Sequence, residues 1–215
     1  MNVELVSKYD RIAERFSEAS YANLAFDMER RLFLATTWGK PLGPGDSVLE
    51  LGCGDGYLAQ LFVQGGLWYS GVDMSAGMVA TAERRLSEAG LKANFTVTDV
   101  SQLALSEPVD AVVSFMGTFF FFIKDPLAVL KTLRPYIRKK VILDLNPRQN
   151  DPRAAVEILK QAGFTNVAWR PFFVSKDKKL PVGVLKTLVA CEDIPILRSI
   201  PLHWKFFVLL KGEVC

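Results

Sequence analysis

Apolar positions recur at helical spacing through residues 3–38, and beyond a break they gather into short runs separated by further helical patterns. Tyr9, Ile12, Ala13 and Phe16 share one face of the first stretch, and Phe26, Arg30, Leu34 and Trp38 mark a second helical pattern over residues 24–38. Residues 39–46 carry Pro41 and Pro44 and stop that helix. The apolar runs at 48–51, 67–72, 95–98, 109–116 and 139–145 read as strands, with helices predicted at 57–63, 75–90, 126–137 and 151–163. Ser75 and Gly90 bound the second of these helices as cap and stop, and Asp151 followed by Pro152 opens the last. Strands alternating with helices predict an α/β fold, a mainly parallel sheet with helices on both faces. Runs at 165–174 and 204–211 supply two more strands.

The stretch around which this pattern is organised is residues 48–59, Val-Leu-Glu-Leu-Gly-Cys-Gly-Asp-Gly-Tyr-Leu-Ala. It reads as strand, tight turn and helix N-terminus. Leaving a strand and entering a helix within about four residues needs backbone angles that a Cβ disfavours, and a bare backbone lets a ligand lie against the loop. Free N–H groups at the helix start then favour an anionic group. A dinucleotide-binding fingerprint would place its third glycine at position 57, where this chain has Tyr57. Glu50 in the strand and Asp55 in the turn suit a loop facing an amino group and a sulfonium better than one facing pyrophosphate.

The segment closely resembles motif I of the class I S-adenosylmethionine-dependent methyltransferases, an acidic residue followed by Leu-Gly-Cys-Gly-x-Gly. That resemblance, covering roughly residues 48–146, implies a Rossmann-like seven-stranded sheet, mostly parallel with an antiparallel last strand, and S-adenosyl-L-methionine as cofactor. It assigns Glu50, Gly52, Cys53, Gly54 and Gly56 to the cofactor loop. Asp73, ending the second strand about 20 residues past the glycines, matches the family's ribose-binding acid, and Met74 after it is counted with the cofactor-binding residues; the alternative role of Asp73 is a helix N-terminal acid beside the Ser75 cap. Asp99 and Val100 take the places where the family contacts the adenine amino group and stacks on the ring, with a plain turn aspartate as the alternative. Ser114 and Phe115 end the fourth strand, where the family lines its cofactor. Tyr-Asp-x-x-Ala-x-x-Phe, from Tyr9 to Phe16, resembles the N-terminal cap of small-molecule methyltransferases, leaving Tyr9 either in contact with ligand or an ordinary packing aromatic.

The acceptor side is less legible. Ligands of an open parallel sheet bind beyond the carboxyl ends of its strands, where Asp144, Asn146 and Arg148 fall. Asp144, Asn146 and the lone histidine, His203, are therefore the acceptor-side candidates, against loop anchoring for the first two and a structural role for the third. Four consecutive phenylalanines, 119–122, do not all fit inward on a helix or strand, so at least one is expected to face the cleft or another element. Residues 175–203 replace a short turn between the last two strands and carry an apolar stripe of Val184, Leu185, Leu188 and Val189. They are expected to form a lid or wall over the acceptor, with a dimer contact or a membrane-surface helix as alternatives.

Composition narrows the class without redirecting it. A chain of 215 residues, half of them hydrophobic, buries a substantial core, and no linker or repeat divides it, so residues 1–215 are expected to be one domain, with residues 1–40 as a helical cap. The longest uncharged apolar run, 111–123, is too short to span a bilayer, and the N-terminus has no apolar signal core. Cys53, Cys191 and Cys215 are scattered, without metal-ligand spacing, which points to a reducing, cytoplasmic setting. Residues 170–215 hold 8 basic and 4 acidic side chains, a bias too weak to imply nucleic acid. The expected function is methyl transfer by in-line displacement to a small, partly apolar acceptor, in a monomer or homodimer. A non-catalytic methyltransferase-like binding protein and a nicotinamide-dependent oxidoreductase are the competing classes.

Overall fold

The computed structural model describes residues 3–116, 118–194 and 207–215. Strands are formed by Ser47–Leu51 (β1), Trp68–Asp73 (β2), Asn94–Val97 (β3), Val109–Ser114 (β4), Ile137–Leu145 (β5), Thr165–Phe172 (β6) and Phe207–Glu213 (β7). Helices are Val3–Ile12 (α1), Phe16–Ser20 (α2), Leu24–Thr37 (α3), Tyr57–Gln64 (α4), Ala76–Glu88 (α5), Thr118–Phe122 (α6), Pro126–Leu133 (α7), Pro152–Gln161 (α8) and Val182–Cys191 (α9). The sheet runs β3-β2-β1-β4-β5-β7-β6, with β7 antiparallel to both its neighbours. β1 pairs in parallel with β2 on one side and β4 on the other. The chain thus builds outward to β3 and returns to start again beside β1. A crevice opens beyond the carboxyl ends of the strands at such a reversal.

Successive residues of the central strands serve opposite layers, as the two-residue strand period requires. Val48, Val113 and Ile142 pack with Met28, Leu34, Leu58, Phe62 and Leu86 from α3, α4 and α5. Leu49, Val112 and Leu143 pack with Leu130, Leu133 and Leu159 from α7 and α8. Caps fix the helix starts: Ser75 Oγ accepts the Met78 N–H at 3.1 Å, Asp125 that of Ala128 at 3.0 Å and Asp151 that of Arg153 at 2.9 Å.

The boundary after α7 differs from the sequence expectation. The helix predicted over 126–137 ends at Leu133, a 3-10 turn follows over Arg134–Tyr136, and Ile137 already begins β5. Pro135 is the physical reason, since its ring clashes with the carbonyl four residues back. His203, the rest of the 175–203 segment beyond 194, and the start of the strand expected at 204 lie outside the described residues.

The described part of that segment is tied down at both ends. Asn23 donates to the carbonyls of Ser175 and Lys178, at 2.7 and 2.8 Å, and accepts the Leu180 N–H at 3.0 Å. Just past α9, the fully buried Glu192 carboxylate accepts from Arg30 at 2.7 Å, Arg170 at 3.2 Å and the Phe173 N–H at 2.9 Å. Leu185 is buried against the core while Val184 faces outward. The stripe read from the sequence is therefore only partly used for packing.

Candidate functional site

The glycine turn joins β1 to α4 at the crevice. Gly52 and Cys53 donate their N–H groups to the Val72 carbonyl at 2.8 and 3.0 Å, which holds the turn against β2. Gly54 has φ +53°, and its N–H donates to Asp73 Oδ2 at 3.0 Å. A Cβ built there would sit in ordinary contact with the Phe16 ring at 3.7 Å, so Gly54 presents bare backbone to the cleft beneath that ring. Gly56 works differently. It adopts φ +75° ahead of α4, and a Cβ there would lie 2.7 Å from the Ala82 Cβ, so this glycine allows close packing on α5.

One cleft collects most of the expected cofactor residues. Followed along the sheet, its wall passes from Asp99 and Val100 beyond β3 to Asp73 and Met74 after β2. It continues through Gly52 and Gly54 after β1, to Ser114 and Met116 at the end of β4, and reaches Lys176 beyond β6. Tyr9 and Phe16 from the N-terminal helices and Phe119 and Phe122 from α6 complete it. Tyr9 stacks edge-on against Phe16 and Phe122, at 5.8 and 6.1 Å between ring centres, so the N-terminal segment covers the crevice with aromatic surface. Of the four phenylalanines, Phe119 is buried and Phe122 lines the cleft, whereas Phe121 is 57% exposed.

The two carboxylates in this wall are held by local donors. Asp73 accepts from Gly54 and, through Oδ1, from the Ser75 N–H at 2.9 Å. Burial pushes its carboxyl up, against these backbone hydrogen bonds. Asp99 accepts the Ser101 hydroxyl at 2.7 Å and N–H at 2.8 Å, which hold its carboxyl below the usual range. Burial raises the Tyr9 phenol, and the nearby Asp73 charge adds to this.

Other expected site residues lie outside the cleft. Cys53, Phe115 and Glu50 sit behind the glycine turn, around a smaller cavity that they share with Gly52, Gly54 and Met116. Ser114 reaches the cleft but spends its hydroxyl on the Leu51 carbonyl at 2.7 Å, stitching β4 to β1. Asp144 is fully buried within β5, in an ion pair with Arg31, and accepts the Met116 N–H at 2.8 Å. Arg31 is itself fully buried, pairs with Asp27 at 2.5 Å and lies over the Phe172 ring at 4.6 Å. Asn146 accepts the Arg148 N–H at 3.0 Å through its side chain, anchoring its own loop. Of the acceptor-side candidates, Asp144 and Asn146 thus each have structural partners of their own, and His203 lies outside the described residues.

Two carboxylates turn out to secure the roof. Asp10 accepts the Ser75 hydroxyl at 2.5 Å and the Gly77 N–H at 2.9 Å, docking α1 on the N-terminus of α5. Asp55, expected to face a ligand, instead accepts the Ser17 hydroxyl at 2.6 Å and Arg85 at 3.2 Å, fastening α2 to the glycine turn. The sequence clue to Asp10 is its place beside Tyr9; that of Asp55 is indistinguishable from a ligand contact.

Glu50 carries a pH prediction. Its carboxyl is buried, accepts the Tyr69 hydroxyl at 2.5 Å, and is pushed up to about 8 by burial. The folded state therefore binds this proton more tightly than the unfolded chain, and the stabilisation present at low pH is lost as pH rises towards 8. Glu50→Gln mimics the neutral acid. The variant is expected to melt several degrees above the wild type at pH 8 and near it at pH 5, measured by circular dichroism. Equal differences at both pH values would show that Glu50 does not titrate in this way.

Residues 48–140 match the model of the family described as methyltransferase domain. Among curated relatives, the ubiquinone biosynthesis O-methyltransferase of Xanthomonas campestris pv. campestris is 26% identical over 113 residues, 52% of this chain and 46% of that one. The protein so named from Azoarcus sp. is 34% identical over 64 residues, 30% of this chain and 28% of its own. The chain thus matches less than half the length of these relatives. Magnesium protoporphyrin IX methyltransferase from Synechocystis PCC 6803, with bound SAM, superposes with a TM-score of 0.59 at 18% identity, covering 100% of this chain and 86% of the other. The [4+2]-cyclase SpnF superposes with a TM-score of 0.69 at 15% identity, covering 97% and 94%. Residues 48–140 thus match a methyltransferase domain, and the chain shares the fold of the solved methyltransferase on which it superposes.

Proposed function

We propose that this protein transfers the methyl group of S-adenosylmethionine to a small, partly apolar acceptor. The observation that carries the reading is the placement of bare Gly54 backbone, Asp73 and Asp99 along one wall of a single cleft, in sheet order. Asp73 uses its oxygens on two backbone N–H groups and keeps lone pairs for two ribose hydroxyls, and Asp99 with Val100 would hold an adenine. The bound cofactor would supply a methyl group on a sulfonium. The chain's own contribution is alignment and exclusion of water, through the aromatic roof of Tyr9, Phe16 and Phe122.

No helix among the described residues is long and apolar enough to cross a membrane. We further infer a cytoplasmic protein, supported by three free cysteines, working as a monomer or homodimer on a small molecule. The anchored segment that starts at Ser175 fits a fixed wall of the acceptor site better than a moving lid, because Asn23 and Glu192 hold it at both ends.

Calorimetric titration tests the cofactor. Saturable binding of S-adenosylmethionine and none of NAD or NADP is expected, and the opposite pattern would establish the oxidoreductase class. Transfer of labelled methyl from S-adenosylmethionine into a small-molecule extract then separates enzyme from binding protein. Cofactor bound without any labelled product leaves the non-catalytic reading standing.

A further inference from the structure

Three buried polar atoms close to one another in the fold have no hydrogen-bond partner among the described residues: the Tyr21 hydroxyl, Asp27 Oδ2 and Arg31 Nη2. Tyr21 is only 4% exposed, yet it forms part of the cleft wall. Beside it in that wall stands the half-buried Lys176, with Nζ 5.2 Å from the centre of the Tyr21 ring. The pair is fixed by the backbone, since the Ala22 N–H donates to the Lys176 carbonyl at 2.8 Å and Asn23 binds the carbonyls on either side of it in the chain.

Lys176 follows β6, at the opposite edge of the sheet from β3 and Asp99. If Asp73 and Asp99 hold the nucleoside, this end of the cleft is where an acceptor stands. The charged groups around Tyr21 are Arg31, Asp27, Asp144 and Asp55. Arg31 is shared by Asp27 and Asp144, and Asp55 is taken by Ser17 and Arg85. Burial pushes the Tyr21 phenol well up, and its hydroxyl has no partner among the described residues, so Tyr21 remains a donor with a free proton. The same cleft is lined in part by the apolar side chains of Phe16, Met116 and Phe119.

We propose that Tyr21 and Lys176 form a subsite for an oxyanion, a carboxylate or phenolate carried by an otherwise apolar acceptor. Tyr21 donates the hydrogen bond and Lys176 supplies the opposite charge. This deepens the methyltransferase reading and rests on it. A buried hydroxyl without a partner is costly, and an oxyanion satisfies it better than a neutral group does.

The test uses protein saturated with S-adenosylhomocysteine, titrated with 2-naphthoate and with 2-naphthamide, which share an apolar body and differ in charge. The carboxylate is expected to bind at least tenfold tighter than the amide. Tyr21→Phe and Lys176→Met, which keep the apolar volume, are each expected to reduce that preference severalfold while leaving affinity for S-adenosylhomocysteine unchanged. Equal binding of the two probes, an undiminished preference in both variants, or no saturable naphthoate binding at millimolar concentration overturns the subsite. Failure of the wild type to bind S-adenosylhomocysteine overturns the cofactor reading instead, so the two failures are distinct.

Discussion

Asp144→Ala is expected to lower the unfolding free energy by about 3–5 kcal/mol, because it strands one side of a buried guanidinium. Arg31 is fully buried, and of its two carboxylate partners Asp144 is the one within the sheet. Alanine would also release the Met116 N–H, which Asp144 accepts at 2.8 Å. Met116 adopts φ +69°, a conformation that disfavours non-glycine residues, and it lines the cleft just past β4. Loss of its clamp should therefore loosen the cleft wall as well as the core. Urea unfolding followed by circular dichroism reads the first effect, and Asp144→Asn, which keeps an acceptor, should lose clearly less. An alanine variant with wild-type stability and reduced turnover would return Asp144 to the catalytic role that its sequence position suggested.

Asp73→Ala is expected to weaken S-adenosylmethionine binding by about 2–4 kcal/mol, roughly 30-fold or more, through loss of charged hydrogen bonds to the ribose. The same carboxylate closes the glycine turn on to α5 through Gly54 and Ser75, so a drop of a few degrees in melting temperature should accompany the loss. Ser101→Ala, which loosens only Asp99 at the far end of the cleft, serves as the comparison and should cost far less affinity. Calorimetry showing unchanged affinity in Asp73→Ala would remove the ribose assignment and the methyltransferase reading with it.

The contrast between Asp73 and Asp144 shows what is legible in a sequence. Both are acids at the ends of apolar runs, and both were expected at the mouth of the crevice. Asp73 is there because its neighbours along the chain, the glycine turn and the Ser75 cap, supply its partners through local backbone geometry. Asp144 is withdrawn because Arg31, 113 residues earlier, reaches it through the core. Asp55 shows the same effect, captured by Ser17 and Arg85.

The sequence by itself determined the strand and helix alternation, the glycine turn, the helix caps and the line of cofactor candidates from Gly52 to Val100. The first three are local properties, written in periodicity and turn chemistry, whereas the cofactor candidates were named by the resemblance of residues 48–146 to a known family. Only the tertiary structure decided which carboxylates face the cleft and which serve as anchors, and that Gly56 packs on Ala82. It alone brought Tyr21 beside Lys176, two residues that no pattern connects, through hydrogen bonds between chain segments more than 150 residues apart. Buried charge has to be paired wherever the fold provides a partner, and the choice of partner is made by packing across the sheet, beyond the reach of local pattern.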